Sequence, residues 1–167
     1  MAETVLIHPN RDKGESRATR AVVIVLLLVS AGLVAVVTAG GWSRLQGAEL
    51  VSLGYIVVYV GMAFYVSRWN RGVLPVAAAL AVLLAVVSAV AGPAWFGRDK
   101  EGFANPSLEP SILGVLTLAI VPVQLLLIAF GMRGFQQQWN VEVEVTRAEA
   151  DRYRDGGDFH GGEARAA

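Results

Sequence analysis

The run AVVIVLLLVSAGLVAVVTAGG, Ala21–Gly41, contains no Asp, Glu, Lys, Arg or His, and twelve of its positions are Val, Ile or Leu. A helix rises ~1.5 Å per residue, so about 20 such residues cross a hydrocarbon core of ~30 Å. At roughly −0.4 kcal/mol for each Val, Ile or Leu, insertion outweighs the polar cost of Ser30 and Thr38. Three further apolar runs follow, Ala48–Val66, Val73–Ala94 and Pro110–Phe130. The second is the weakest, because Glu49 stands at its mouth and Ser52, Tyr55, Tyr59 and Tyr65 dilute it, but its neighbours require a return pass. The pattern predicts an all-α integral membrane protein, a four-transmembrane-helix bundle with helices at about 21–41, 48–66, 73–94 and 110–130. These make up a membrane domain over residues 21–132, flanked by an N-terminal segment, 1–20, and a C-terminal tail, 133–167. A large soluble helical core is the competing fold, but soluble helices need a polar face and these runs are apolar all round.

Fourteen basic residues balance fourteen acidic ones, so no excess charge argues for nucleic acid or an anionic partner. The chain has no cysteine, and its only histidines, His8 and His160, lie near opposite ends. Neither a metal site nor a cofactor ligand set is expected from such an inventory. Lys13 and Lys100 are the only lysines, and the Arg, Ala, Val and Gly bias is that of GC-rich codons, which hints at a bacterial source. Arg17 and Arg20 before the first run, with Val37-Thr38-Ala39 near its end, resemble a signal peptide. An apolar stretch of about 20 residues exceeds the usual ~7–15 of such a signal and predicts a retained anchor instead.

Short loops rich in Lys and Arg stay cytoplasmic. The N-terminal segment carries Arg11, Lys13, Arg17 and Arg20, the second loop Arg68 and Arg71, and Arg133 follows the fourth run; the first loop has only Arg44 and the third only Arg98 and Lys100. Both termini are therefore expected in the cytoplasm, under an inner membrane. Trp42, Trp69 and the pair Trp95-Phe96 fall at the ends of the first three runs, where amphipathic rings favour the headgroup zone. Asn105-Pro106 is placed to cap a short extra turn before Pro110, and Asn105-Pro106-Ser107 is barred from glycosylation by its central proline. Gly40-Gly41-Trp42-Ser43-Arg44 faintly echoes Gly92–Arg98, which convergent interface anchoring explains better than duplication.

Val141-Glu142-Val143-Glu144-Val145 alternates with period two, the pattern of a half-buried strand with one valine face. Thr4-Val5-Leu6-Ile7 is the other short β-like run on the same side, so the termini are expected to form a small two-stranded ribbon. Such a ribbon is marginal alone, and Val141, Val143 and Val145 present an edge suited to strand addition by a partner. Thr146 and Glu149 have capping-box spacing ahead of a short helix that Gly156-Gly157 would end, and about twelve final residues are read as disordered.

Within the membrane, helices associate through small residues and interhelical hydrogen bonds. Ala31, Ala35 and Ala39 on the first helix and Ala77, Ala81, Ala85 and Ala89 on the third form stripes expected to bring those two backbones together. On the fourth, Gly114, Thr117, Gln124 and Gly131 share a face, and Pro122 frees the Leu118 carbonyl, which predicts a kink. Ser52, Tyr55, Tyr59 and Met62 make a stripe on the second. Counted by depth, Ser30, Tyr59 and Gln124 are expected to meet as a mid-membrane polar cluster, read first as interhelical glue and second as a site for a quinone headgroup or small polar solute. Ion or proton relays normally need intramembrane carboxylates or histidines, which are absent here. Glu49 and Glu109 complement helix dipoles rather than form a catalytic pair, and His8 reads as a surface residue. No nucleophile is poised against a base. The expected function is that of a non-catalytic accessory, assembly or scaffold subunit whose partners are the lipid bilayer and other membrane-protein subunits or itself. A small transporter or ligand-binding protein is the alternative.

Overall fold

The computed structural model describes residues 4–45, 47–97 and 106–154. It begins with strand β1 (Thr4–Ile7) and a one-turn helix α1 (Pro9–Asp12), followed by four long helices: α2 (Gly14–Gly40), α3 (Glu49–Ser67), α4 (Val73–Phe96) and α5 (Pro110–Gln136). Strand β2 (Val143–Thr146) and helix α6 (Arg147–Arg154) complete the described chain. By length and composition, α2 to α5 are each able to cross a membrane.

Two of these helices outrun their apolar cores. Helix α2 starts seven residues before Ala21 because its first turns are held from the other end of the chain: Ser16 and Thr19 are buried, and Gln137 Nε2 donates to Thr19 Oγ1 at 3.1 Å. Helix α5 opens with Pro110, whose missing N–H costs nothing in a first turn, and runs without a break through Pro122 to Gln136. Helix α4 likewise continues past Pro93 to Phe96.

The bundle is uneven. Helix α2 packs against α3 and α5, α4 packs most extensively against α5, and α3 and α4 touch only sparingly. Helices α2 and α4 thus lie across the bundle from each other, and the expected meeting of their alanine stripes does not occur. Ala31, Ala77, Ala81 and Ala85 are buried, but Ala39 and Ala89 are exposed. Close approach is achieved instead between α4 and α5, where a Cβ on Gly92 would come within 2.6 Å of Leu118 and one on Gly114 within 2.8 Å of Phe96. Each glycine receives a large side chain from the opposite helix.

The main core runs along the bundle from Val23 and Leu27 through Tyr59 and Leu74 to Leu127, and ends on Trp139. A smaller core at the far end joins Val37, Trp95 and Leu113. Trp95, expected as a ring at the end of its helix, is the penultimate residue of α4 but is packed into this core, 3% exposed. Trp42, by contrast, is half exposed beside the end of α2.

An even number of passes returns the chain to its starting end, and there β1 and β2 pair antiparallel with Val5 opposite Val145 and Ile7 opposite Val143. The strand is shorter than its alternating pattern: Val141 lies outside it, because its N–H bonds back to the Gln138 carbonyl at 3.2 Å in a turn where Gln138 has φ 48°. The valine face is partly covered, since α6 packs on both strands, burying Ala150 and leaving Val145 7% exposed. Thr146 donates its N–H and its hydroxyl to Glu149 at 3.0 and 2.8 Å, closing the box that starts α6. The tail beyond Arg154 and Asn105 of the expected extra turn lie outside the described residues; Pro106–Glu109 carries no helix before Pro110.

Candidate functional site

Ser30, Tyr59 and Gln124 come together at the centre of the bundle, each fully buried. The Tyr59 hydroxyl donates to Gln124 Oε1 at 2.9 Å, Gln124 Nε2 donates to Ser30 Oγ at 2.9 Å, and the Ser30 hydroxyl donates to the Leu26 carbonyl at 2.7 Å. A single directed chain thus ties α3 to α5 and α5 to α2, and it ends on backbone. The geometry follows from register: Gln124 lies seven residues beyond Thr117 and seven before Gly131, on the one face of α5 that is buried along its length. Tyr55 stacks edge-on to Tyr59, ring centroids 5.6 Å apart, and covers the cluster on the α3 side. None of the principal cavities is lined by any of the three residues.

A second constellation, at the end where the chain termini meet, was not visible in the sequence. Trp139 is fully buried and stands edge-on to Trp69, centroids 5.5 Å apart, and the Arg20 guanidinium lies 4.1 Å over the Trp69 ring. Arg20 also donates to the Ser67 carbonyl at 3.2 Å, so the start of α2 is fastened to the α3–α4 turn. Arg11 Nε donates to the Trp139 carbonyl at 3.0 Å, Asn10 to the Gln138 carbonyl at 3.1 Å, and Trp139 Nε1 to Gln137 Oε1 at 3.0 Å. Trp139 sits in Gln136-Gln137-Gln138-Trp139-Asn140, a polar stretch that reads as tail. The only available signal was a lone large aromatic just past a helix end.

Among the described residues the charged side chains make no catalytic grouping. His8 Nε2 faces the Glu142 carboxylate at 3.2 Å on a solvent-accessible surface, Glu49 begins α3, Glu109 is exposed, and among the described residues no cluster of three metal-ligating side chains occurs. An open groove of about 510 Å³ between β1, α1 and α6 is lined by Arg11 and Arg147 but also by Asp12 and Asp151, so it favours neither sign of ligand. Its edge is latched by Tyr153, whose hydroxyl donates to Asp12 at 3.1 Å. Burial, then that hydrogen bond, push the Tyr153 phenol above its ordinary pKa.

At the other end a cavity of about 200 Å³ lies among all four helices, with Thr38, Arg44, Ser88, Trp95 and Thr117 in its walls. The sequence reading counted Arg44 only as a loop charge and passed over Ser88, yet Arg44 is 7% exposed and Ser88 2%. No family model matches the chain, and no curated protein or solved structure matches it either.

Proposed function

We propose that this chain is a non-catalytic integral membrane protein of a bacterial inner membrane, with both termini cytoplasmic, acting as an accessory, assembly or scaffold subunit of a larger membrane complex. The observation that carries this reading is the closed polar chain of Tyr59, Gln124, Ser30 and the Leu26 carbonyl. The strongest polar groups of the bundle bind one another, and no principal cavity borders them, which is the arrangement of interhelical glue rather than of a transport path. Apolar side chains cover the outward faces of the helices, among them Leu50 at 80%, Val57 at 70% and Val90 at 73% exposure. Those faces fit lipid or a neighbouring helix. The outer edges of the β1–β2 ribbon, unpaired among the described residues, and the exposed Val141 offer the partner a second point of contact.

Extraction in mild detergent followed by affinity purification tests the proposal. A stoichiometric membrane-protein partner, crosslinked through residues 141–145, is the expected result; a chain that migrates alone counts against it. The rival reading, a small transporter or binder of a quinone or polar solute through Ser30, Tyr59 and Gln124, requires the Gln124 amide. Binding or flux unchanged in Gln124→Leu rejects that rival.

A further inference from the structure

We propose that the ribbon end of α3 seats the headgroup of one anionic phospholipid, its phosphate at Arg68 and Arg20 and an acyl chain along the helix face above them, an inference that rests on the membrane reading above. The turn from α3 to α4, Ser67–Gly72, contains Arg68 and Arg71 and no acidic residue. Among the described residues the ion pairs at this end are His8 with Glu142, Arg17 with Asp12 and Arg133 with Glu15, so neither Arg20 nor Arg68 faces a carboxylate. The two meet at Ser67: Arg20 donates to its carbonyl at 3.2 Å, and Arg68 is the next residue. Arg20 is short of acceptors as well, since its Nε is buried with no hydrogen-bond partner among the described residues. The Arg68 guanidinium lies 5.2 Å over the exposed Phe64 ring and makes no hydrogen bond among the described residues. Stacking occupies the face of a guanidinium and leaves its N–H edge for an oxyanion. A phosphate taking the Arg68 edge through parallel N–H···O bonds offsets the charge of both arginines.

What carries the phosphate follows from the helix above Arg68. Val57 and Phe64 stand along one side of this face of α3 and Val58 and Tyr65 along the other, all exposed. Between them run Gly54, Gly61 and Arg68, seven residues or about two turns apart, and nothing lies within 4 Å of a Cβ added to either glycine. The apolar furrow so formed opens at Gly54 into a hollow of about 210 Å³ against Leu80 of α4. From Gly54 to Arg68 it extends about 21 Å, more than the ~15 Å depth of one leaflet's hydrocarbon. An acyl chain lying in it brings its own headgroup to Arg68. A second copy of this chain is disfavoured there: copies inserted alike present parallel α3 helices, and pairing furrow to furrow sets Arg68 against Arg68. Charge at the end of the furrow therefore selects an anionic lipid.

Native mass spectrometry of the full chain tests this after reconstitution into vesicles containing equal amounts of phosphatidylglycerol and phosphatidylcholine and extraction in mild detergent. One phosphatidylglycerol per chain is expected, favoured about ten-fold over phosphatidylcholine. Arg68→Gln and Gly61→Leu each lower its retention about ten-fold with helicity unchanged, since Arg68 is exposed and a Cβ at Gly61 meets open space. Arg133→Gln, whose guanidinium already faces Glu15, and Gly32→Leu, the same change at an equally open glycine of α2, leave retention intact. Equal retention of the two lipids, no bound lipid on a helical chain, full retention in either α3 variant, or equal losses in the two controls overturns the proposal. So does a dimer that Gly61→Leu dissociates, which makes the furrow an interface between copies. An equal rise in thermal midpoint of the delipidated protein with phosphatidylglycerol and with inorganic phosphate overturns it too, marking a free-anion site. A chain recovered in solution without detergent would defeat the membrane reading itself, a result distinct from all of these.

Discussion

The Gln124 amide offers one acceptor and a donor pair, and the bundle uses its oxygen on Tyr59 and its nitrogen on Ser30. Gln124→Leu removes both bonds and leaves the buried Tyr59 hydroxyl without its acceptor. At ~0.6 kcal/mol for each interhelical bond, the variant is expected to lose about 1 kcal/mol and Tyr59→Phe about half of that, measured by unfolding in mixed micelles. Equal losses in the two would mean that the bond to Ser30 contributes nothing. Glu149 works in the opposite medium. Fully solvated, its carboxyl is held below the usual carboxylate range by the Thr146 N–H, then by the Thr146 hydroxyl. Because the folded value is depressed, the cap stabilises α6 above the unfolded carboxylate pKa and is lost as pH falls through the lower folded one. Protection of the α6 amides, corrected for the intrinsic exchange rate, should therefore fall as pH drops below roughly 4, and Thr146→Val, which keeps the backbone N–H but removes the hydroxyl, should lessen that response. The sign reverses for Tyr153: its raised value means that the contact with Asp12 is complete below the ordinary phenol pKa and fails as pH climbs through the folded one.

Helix α4 shows how an element's partners are chosen by fit rather than by composition. Its alanine stripe is apolar and flat, but flatness alone names no neighbour, and the tightest contact is made where Gly92 admits Leu118 and Gly114 admits Phe96. Gly92→Ala already forces a shift, because its Cβ would lie 2.6 Å from Leu118 Cγ as well as from Cδ2. Gly92→Leu demands a larger one and is expected to cost about 1–3 kcal/mol by forcing α4 off α5. The same measurement on Gly54→Leu, where nothing lies within 4 Å of the added Cβ, should show no comparable loss. Equal effects at the two positions would deny the α4–α5 contact its special role. The sparing contact between α3 and α4 is the complement of this fit, and it leaves the cavity beside Arg44.

For the molecule as a whole, the joint between first and last segments is the consequential feature. Trp139 fills the end of the main core, receives Trp69 edge-on, and carries on its carbonyl the bond from Arg11. Its replacement by Ala should cost about 3–5 kcal/mol and release both chain ends together, seen as simultaneous loss of amide protection in residues 4–12 and 143–154. Arg11→Ala should loosen the N-terminal segment with much smaller loss of global stability. Protection lost at one end only after Trp139→Ala would show that the two ends are not coupled through it. Reporters fused to the two termini are expected on the same face of the membrane.

Solvent preference is a property of each segment, so four apolar runs free of internal charge were enough to place the four long helices, and a period-two valine pattern and Thr146–Glu149 spacing were enough to place the ribbon and the α6 cap. Even the meeting of Ser30, Tyr59 and Gln124 was legible, because depth along a straight helix can be counted and few polar side chains compete for partners there. Adjacency was not legible. Which helices touch depends on where a large side chain finds an absent Cβ, as at Gly92 and Gly114, and a stripe of alanines is compatible with several neighbours. Burial of Trp95, Trp139, Arg44 and Ser88 was decided in the same way, by surroundings contributed from segments distant in sequence. The chain's own chemistry set its solvent and its elements; only packing in three dimensions fixed which faces met and where space was left between them.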